Sequence, residues 1–161
     1  MTERHTIPPV FDKNSRILIL GSFPSVRSRE VGFFYGHPQN RFWRVLALVF
    51  GDTVPMTVEE KKGFLTAHGI ALWDVIASCS IEGSSDSSIR NVVPNDIAAL
   101  VAEREIRAVF TNGRTAQSLY DKYIRSSLDM EATCLPSTSP ANASWSVEKL
   151  TEAWNILCNP S

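Results

Sequence analysis

Residues Ile17-Leu18-Ile19-Leu20 form an unbroken apolar run that ends at Gly21. A short run with no polar face must be covered on both sides, which is the situation of an inner strand in a parallel sheet. Helical patterns follow at intervals. Phe42, Val45, Leu46, Val49 and Phe50 recur at helical spacing over Arg41–Phe50, and Gly51 supplies a stop. The pattern predicts further helices over Val58–His68, Asp96–Glu103, Arg114–Leu128 and Ser146–Cys158. Strands are predicted at Ile70–Trp73, Ile106–Phe110 and Ala132–Leu135, with a long Ser- and Gly-rich surface loop over Ser78–Asn95. Strands alternating with helices imply a three-layer α/β/α sandwich around a mostly parallel central sheet.

In such sheets ligands collect beyond the carboxyl ends of the strands. Those ends carry Gly21-Ser22-Phe23-Pro24-Ser25, Asp74, Thr111-Asn112-Gly113 and Pro136-Ser137-Thr138-Ser139-Pro140. All four are rich in small, polar or turn-forming residues.

With 161 residues and 43% hydrophobic content, the chain suits one domain. Sixteen basic and seventeen acidic residues give a formal net charge of -1, which excludes a protein that coats nucleic acid through its overall charge. Any such binding is local: between Ser22 and Arg44, Arg27, Arg29, Arg41 and Arg44 face Glu30 alone. Cys79, Cys134 and Cys158 are too scattered for a zinc or iron–sulfur site, so no metal or cofactor is expected. The polar start Met1-Thr2-Glu3-Arg4-His5, followed by Pro8-Pro9, is neither signal peptide nor membrane span, and a cytoplasmic protein without a membrane partner is expected.

Several residues carry two readings. Asn40 opens the helix that starts Arg41-Phe42-Trp43, either as its cap or as an amide presented to a ligand. Ser22 and Ser25 belong either to an ordinary turn or to a phosphate or base-edge site. The second and third glycines of a dinucleotide fingerprint are missing there. Tyr35, after Phe33 and Phe34, is a stacking platform or part of the core. Asp74 caps a turn or accepts from a ring N–H. Ser137, Thr138, Ser139 and Asn142 form an exposed turn or a DNA-contacting loop. His5, His37 and His68 show no evident acid partner in the sequence.

Taken in order, Gly21-Ser22-Phe23-Pro24-Ser25, Gly36-His37-Pro38-Gln39-Asn40-Arg41-Phe42-Trp43 and Leu135-Pro136-Ser137-Thr138-Ser139-Pro140-Ala141-Asn142 resemble the hypoxanthine-DNA glycosylase family. This is the deoxyinosine-removing branch of the uracil-DNA glycosylase superfamily. Leu72-Trp73-Asp74-Val75-Ile76 and Ser87-Ser88-Ile89-Arg90-Asn91 resemble it too. The resemblance implies a uracil-DNA glycosylase-like fold and hydrolysis of the N-glycosidic bond of a flipped deaminated base, leaving an abasic site.

It assigns the catalytic amide to Asn40, since Phe23 stands where other branches carry an Asn or Asp. Phe23, Tyr35, Asp74 and Asn112 would contact the base, with Asp74 reading its edge or helping to activate water. Ser22, Ser25, Arg41, Ser137, Ser139 and Asn142 would contact DNA. The implied partner is double-stranded DNA containing a deaminated base, bound by a monomer. No lysine stands in these motifs, so no Schiff-base lyase step is expected. The rival readings are a uracil or mismatch thymine glycosylase, a non-catalytic lesion-binding module, and a small-molecule hydrolase. The last lacks a G-x-S-x-G elbow.

Overall fold

The computed structural model describes residues 2–83, 85–102 and 105–159. Its elements are, in order, β1 (Thr2–Arg4), β2 (Ile17–Gly21), α1 (Val26–Val31), α2 (Phe42–Phe50), α3 (Val58–Ala67), β3 (Ile70–Asp74), β4 (Ile76–Ser80), β5 (Arg90–Pro94), α4 (Ile97–Ala102), β6 (Ala108–Asn112), α5 (Arg114–Tyr123), α6 (Arg125–Leu128), β7 (Ala132–Leu135) and α7 (Val147–Trp154). Single 3-10 turns occupy Asp86–Ser88 and Asn155–Cys158.

The apolar run is β2, buried along its whole length inside an all-parallel sheet of order β3-β2-β6-β7. Its side chains alternate between two cores. Ile17 and Ile19 join Phe42, Leu46, Leu65 and Trp154 on one face, whereas Leu18 and Leu20 join Ile97, Leu100 and Tyr120 on the other. Helices therefore cover both faces, and the three-layer α/β/α sandwich is observed. Fully burying a side chain such as Phe42 or Leu46 contributes about 1.5–3 kcal/mol.

Local chemistry sets most boundaries. Thr57 and Glu60 form a reciprocal capping box at the start of α3, and Ser146 caps α7 through Lys149 N. Gly51 ends α2 in the left-handed conformation (φ 63°). The helix predicted over Arg114–Leu128 is interrupted at Ile124 (φ -113°), whose side chain is buried in the second core. The predicted end of α4, Glu103, lies outside the described residues, as does Ser84. β6 runs two residues later than expected and takes Thr111 and Asn112 into the sheet.

The long loop predicted over Ser78–Asn95 is largely replaced by a hairpin. β4 and β5 pair antiparallel, with register shifts, and β1 adds to the free edge of β4 as Thr2↔Ser80, Glu3↔Cys79 and Arg4↔Ser78. These strands are short, and β4 carries Ala77 and Ser78 side by side between its buried Ile76 and Cys79, so no clean period-two pattern marks them. Their pairing also depends on an N-terminal segment 74 or more residues away in sequence, which local patterns do not reveal. The chain passes from the parallel sheet to this one at Val75, where the Asn95 amide donates to Asp74 O and Ile76 O. None of the described helices is long and apolar enough to cross a membrane.

Candidate active site

Strand register brings the polar strand ends to one level. Gly21 pairs with Asp74, Leu20 pairs with Thr111, and Asn112 pairs with Leu135. The chain leaves β2 for β3 on one side and returns to β6 on the other, so the crevice lies where strand order reverses. A cavity of about 560 Å³ opens there, and its lining includes Gly21–Ser25, Phe34, Tyr35, His37, Asn40, Asp74, Asn112 and 137–141. Of the residues expected at the site, Arg41 and Asn142 do not line it.

One wall is a chain of hydrogen bonds. Thr138 is fully buried. Its backbone N–H donates to Asn112 Oδ1 (3.1 Å), and its Oγ1 accepts from Asn112 Nδ2 (3.0 Å) and donates to Asn40 Oδ1 (2.8 Å). Asn40 Oδ1 also accepts from Phe42 N at 3.0 Å, an Asx turn that leads into α2 one residue ahead of its N-cap, Arg41. Two firm donors on the carbonyl oxygen fix the amide flip. Among the described residues Nδ2 has no partner, and it is the end left for the cavity. Asn40 thus steers the chain into α2 and presents its amide at once, but the cap position itself falls on Arg41 and not, as expected, on Asn40.

The opposite side is charged. Asp74 is 3% exposed, and its Oδ2 accepts from His5 Nε2 at 2.8 Å. His5 Nδ1 accepts from Ile7 N at 3.3 Å. This acid partner is invisible in the sequence, as is Asp52 for His68 at 3.0 Å. Gly21 makes room: a Cβ there would lie 2.4 Å from Asp74 Oδ1 and 3.0 Å from the Tyr35 hydroxyl. Tyr35 adopts φ 53°, and its ring stacks on Phe42 with centroids 3.9 Å apart. One ring face is therefore taken, and the hydroxyl end reaches the strand ends. That hydroxyl is buried, and its proton finds no acceptor among the described residues. Burial, and then the charge of Asp74, push its pKa far above the usual phenol value, partly offset by the Asn112 amide.

The serines are committed to local architecture. Ser25 Oγ caps α1 by accepting from Ser28 N (3.1 Å), and Ser28 Oγ accepts from Gly36 N (2.9 Å), tying that turn to the Tyr35 loop. Ser137 Oγ and Ser139 Oγ accept from Ser139 N and Ala141 N, and Asn142 Nδ2 donates to Ser137 O. Phe23 meets His5 edge-on at 6.0 Å and carries the Arg29 guanidinium 5.2 Å from its ring centre.

The arginines depart from expectation. Arg41 donates to Thr138 O, Ser139 O, Asn142 O and Trp145 O, so it clamps the 138–145 loop and is not presented to phosphate. The reason is geometric: a forked donor at the foot of α2 meets a loop with four inward carbonyls. Arg29 pairs with Glu3 and with Gly83 O. Arg27 and Arg44 stay exposed. Sequence reasoning missed Thr138 as the link between the two amides, His5, and Asp86. Asp86 lies at the rim, where Ser22 Oγ donates to it at 3.5 Å; burial of its carboxyl raises its pKa, against hydrogen bonds from Thr115 and Ser22. Among the described residues no His, Cys, Asp or Glu cluster of three or more is placed to hold a metal ion.

Residues 8–158 match the family model described as the uracil DNA glycosylase superfamily. A hypoxanthine DNA glycosylase of Methanosarcina acetivorans is 38% identical over 152 residues, covering 93% of this chain and 94% of the relative. One of Methanosarcina barkeri is 33% identical over 142 residues, covering 87% and 89%. A solution NMR structure of a candidate uracil DNA glycosylase from Methanosarcina acetivorans superposes with a TM-score of 0.81 at 35% identity, over 99% of this chain and 100% of that one.

Proposed function

Because this chain belongs to the uracil DNA glycosylase superfamily, we propose that it is a monofunctional DNA glycosylase that removes a flipped deaminated base, hypoxanthine first among them. We read all 161 residues as one glycosylase domain, acting in the cytoplasm as a monomer on double-stranded DNA without metal or cofactor. The observation that carries the reading is the fixed amide of Asn40 at the cavity wall.

The C1′–N bond breaks with its electron pair on the base, and water oxygen bonds to C1′. The water gives up its proton to the departing base anion or to solvent, leaving an abasic site. Both Asn40 Oδ1 acceptor sites are occupied, so the side chain cannot take that proton. Its Nδ2 donates to the water oxygen and holds one lone pair toward the anomeric carbon, which is catalysis by position. Among the described residues no lysine lines the cavity, so no Schiff base forms there. Asp74 reads the edge of the base, with Phe23 against the ring. Ser137 and Ser139 hold the strand: each hydroxyl accepts from a backbone N–H and keeps its own proton to donate to phosphate. The Ser22 hydroxyl, which donates to Asp86 in the free protein, reaches phosphate only by giving up that bond. Asn112 acts on Asn40 through Thr138, and Arg41 acts on the strand through the loop it clamps.

The test is single-turnover cleavage of duplexes carrying one deoxyinosine or one uracil, developed with alkali. Native protein is expected to cleave at deoxyinosine. Asn40→Ala is expected to lose at least about a hundredfold in rate, the scale of one deleted catalytic hydrogen bond. Cleavage at uracil alone would make the chain a uracil DNA glycosylase, the activity for which the NMR relative is named. Binding of inosine DNA without cleavage would make it a lesion-binding module.

A further inference from the structure

We propose that His5, Asp74 and the Tyr35 hydroxyl form a two-point reader of the lactam edge that deamination creates on a base, with His5 as the positioning residue that aims Asp74. It rests on the reading that the cavity receives a base. Three observations carry it. The first is the tautomer. His5 Nδ1 accepts from Ile7 N, so the ring proton sits on Nε2 and is donated to Asp74 Oδ2. A neutral imidazole therefore fixes one carboxylate oxygen without cancelling its charge.

The second is direction. With Oδ2 held by His5, Oδ1 lies beside Gly21 at the end of β2, where even a methyl group would collide with it, and Asp74 lines the cavity. The third is the orphan hydroxyl of Tyr35, buried beside the same point. A buried donor left without a partner in the empty protein marks a place where a ligand acceptor belongs.

An acceptor carboxylate oxygen beside a donor hydroxyl complements an N–H adjacent to a carbonyl. Hypoxanthine offers N1–H beside O6, and uracil offers N3–H beside a carbonyl. Adenine and cytosine, their undamaged parents, present an unprotonated ring nitrogen at that position, and its lone pair would face the carboxylate. Sites built to hydrogen-bond a substrate group reject analogues lacking it by large factors, because the site's own polar groups are left unpaired.

His5 is placed for this by the N-terminal segment. β1 pairs with β4, His5 N donates to Ala77 O at 2.7 Å, and Val10 exchanges both backbone bonds with Leu72. The ring is then enclosed by Phe23, Phe34 and Trp73, with centroids 6.0, 6.0 and 6.4 Å away. This packing leaves the imidazole one orientation.

The experiment compares native protein, His5→Ala, His5→Gln and Asp74→Asn on duplexes with deoxyinosine or 1-methyl-deoxyinosine, the latter lacking the N1–H. Free hypoxanthine and adenine are titrated in parallel by NMR. Native protein is expected to discriminate against the methylated lesion by about a hundredfold or more, and Asp74→Asn to lose most of that discrimination. His5→Ala should raise the half-saturation concentration about tenfold with a smaller change in maximal rate. His5→Gln, which keeps an N–H donor, should recover most of it.

His5→Ala matching native protein in both parameters, or equal cleavage of the two lesions by native protein, would overturn the proposal while leaving the glycosylase reading intact. If native protein cleaves neither lesion yet binds hypoxanthine over adenine, and His5→Ala loses that preference, the reader stands and the glycosylase reading falls. Should His5→Ala fail to fold, the methylated lesion and His5→Gln still decide.

Discussion

The two sides of the cavity are built on opposite principles. On the Asn40 side both lone pairs of Oδ1 are taken, by Phe42 N and Thr138 Oγ1, the Asn112 amide extends the neutral chain, and the two N–H groups of Nδ2 are left over. On the Asp74 side the polar groups are held in place but left incomplete, with one carboxylate oxygen anchored by His5 and a buried hydroxyl unpartnered. A group that places a water needs rigidity, and saturation supplies it. A group that chooses among bases needs an unmet hydrogen-bonding demand that only the right ligand satisfies. On the roles proposed above, the catalytic and the selective parts of this site should fail in different ways when broken.

The largest expected effect on the selective side comes from Gly21→Ala. The new methyl would sit 2.4 Å from Asp74 Oδ1, and the carboxylate cannot swing away without leaving His5. Single-turnover cleavage of deoxyinosine DNA should fall by about a hundredfold or more, by the logic of mispaired recognition groups. Overpacking should cost about 1–3 kcal/mol in urea unfolding. Native-like cleavage by a folded variant would show that the Asp74 side tolerates displacement, and the contrast between the two sides would collapse.

Thr138→Val should act more mildly and on the other side. Valine keeps the shape but leaves Asn112 Nδ2 unpaired, at a cost of about 1–3 kcal/mol. It also frees one of the two holds on Asn40, since Phe42 N remains. Maximal rate should drop about tenfold with half-saturation unchanged, the pattern of an interaction made only in the transition state. Thr138→Ser, which keeps the hydroxyl, should restore it. A variant that changed base preference instead would show that this wall also selects.

How much of this is legible in the sequence follows the same divide. The Asn40 side can be read because β2 and β6 announce themselves by apolar runs, β7 follows as a short strand between two helical patterns, and parallel register then sets their polar ends level. Thr138 sits in plain view inside a polar loop, yet nothing in one sequence tells a fully buried threonine from its half-buried neighbours Ser137, Ser139 and Asn142. The Asp74 side can be half read. Asp74 is visible as a strand end, but its partner lies 69 residues earlier, on a segment that looks like a polar leader to the fold. β1 and the hairpin hide for one reason: short strands with mixed polar faces gain their order from pairing, which local periodicity does not encode. Arg41 misleads because an arginine that binds four carbonyls and one that binds phosphate have the same neighbours in sequence.

Asp86 gives the smallest effect and separates the charge that the site uses from a charge that it merely tolerates. Its carboxyl sits at the rim near Ser22 and Thr115, and burial raises its pKa against the hydrogen bonds they donate. Between the ordinary carboxylate value and this raised one, the folded protein keeps a proton that the unfolded chain has released. Stability therefore falls as pH rises through that window, and the full cost persists at neutral pH. Asp86→Asn has no such titration and can still accept from Ser22. Its melting temperature should exceed the native one by a small margin at neutral pH, and the margin should shrink as the pH is lowered past the ordinary carboxylate range. Thermal melts of both proteins across that range check it. A margin that grows toward acid would mean that the Ser22 and Thr115 hydrogen bonds outweigh burial, so that the rim carboxylate is held for use as Asp74 is.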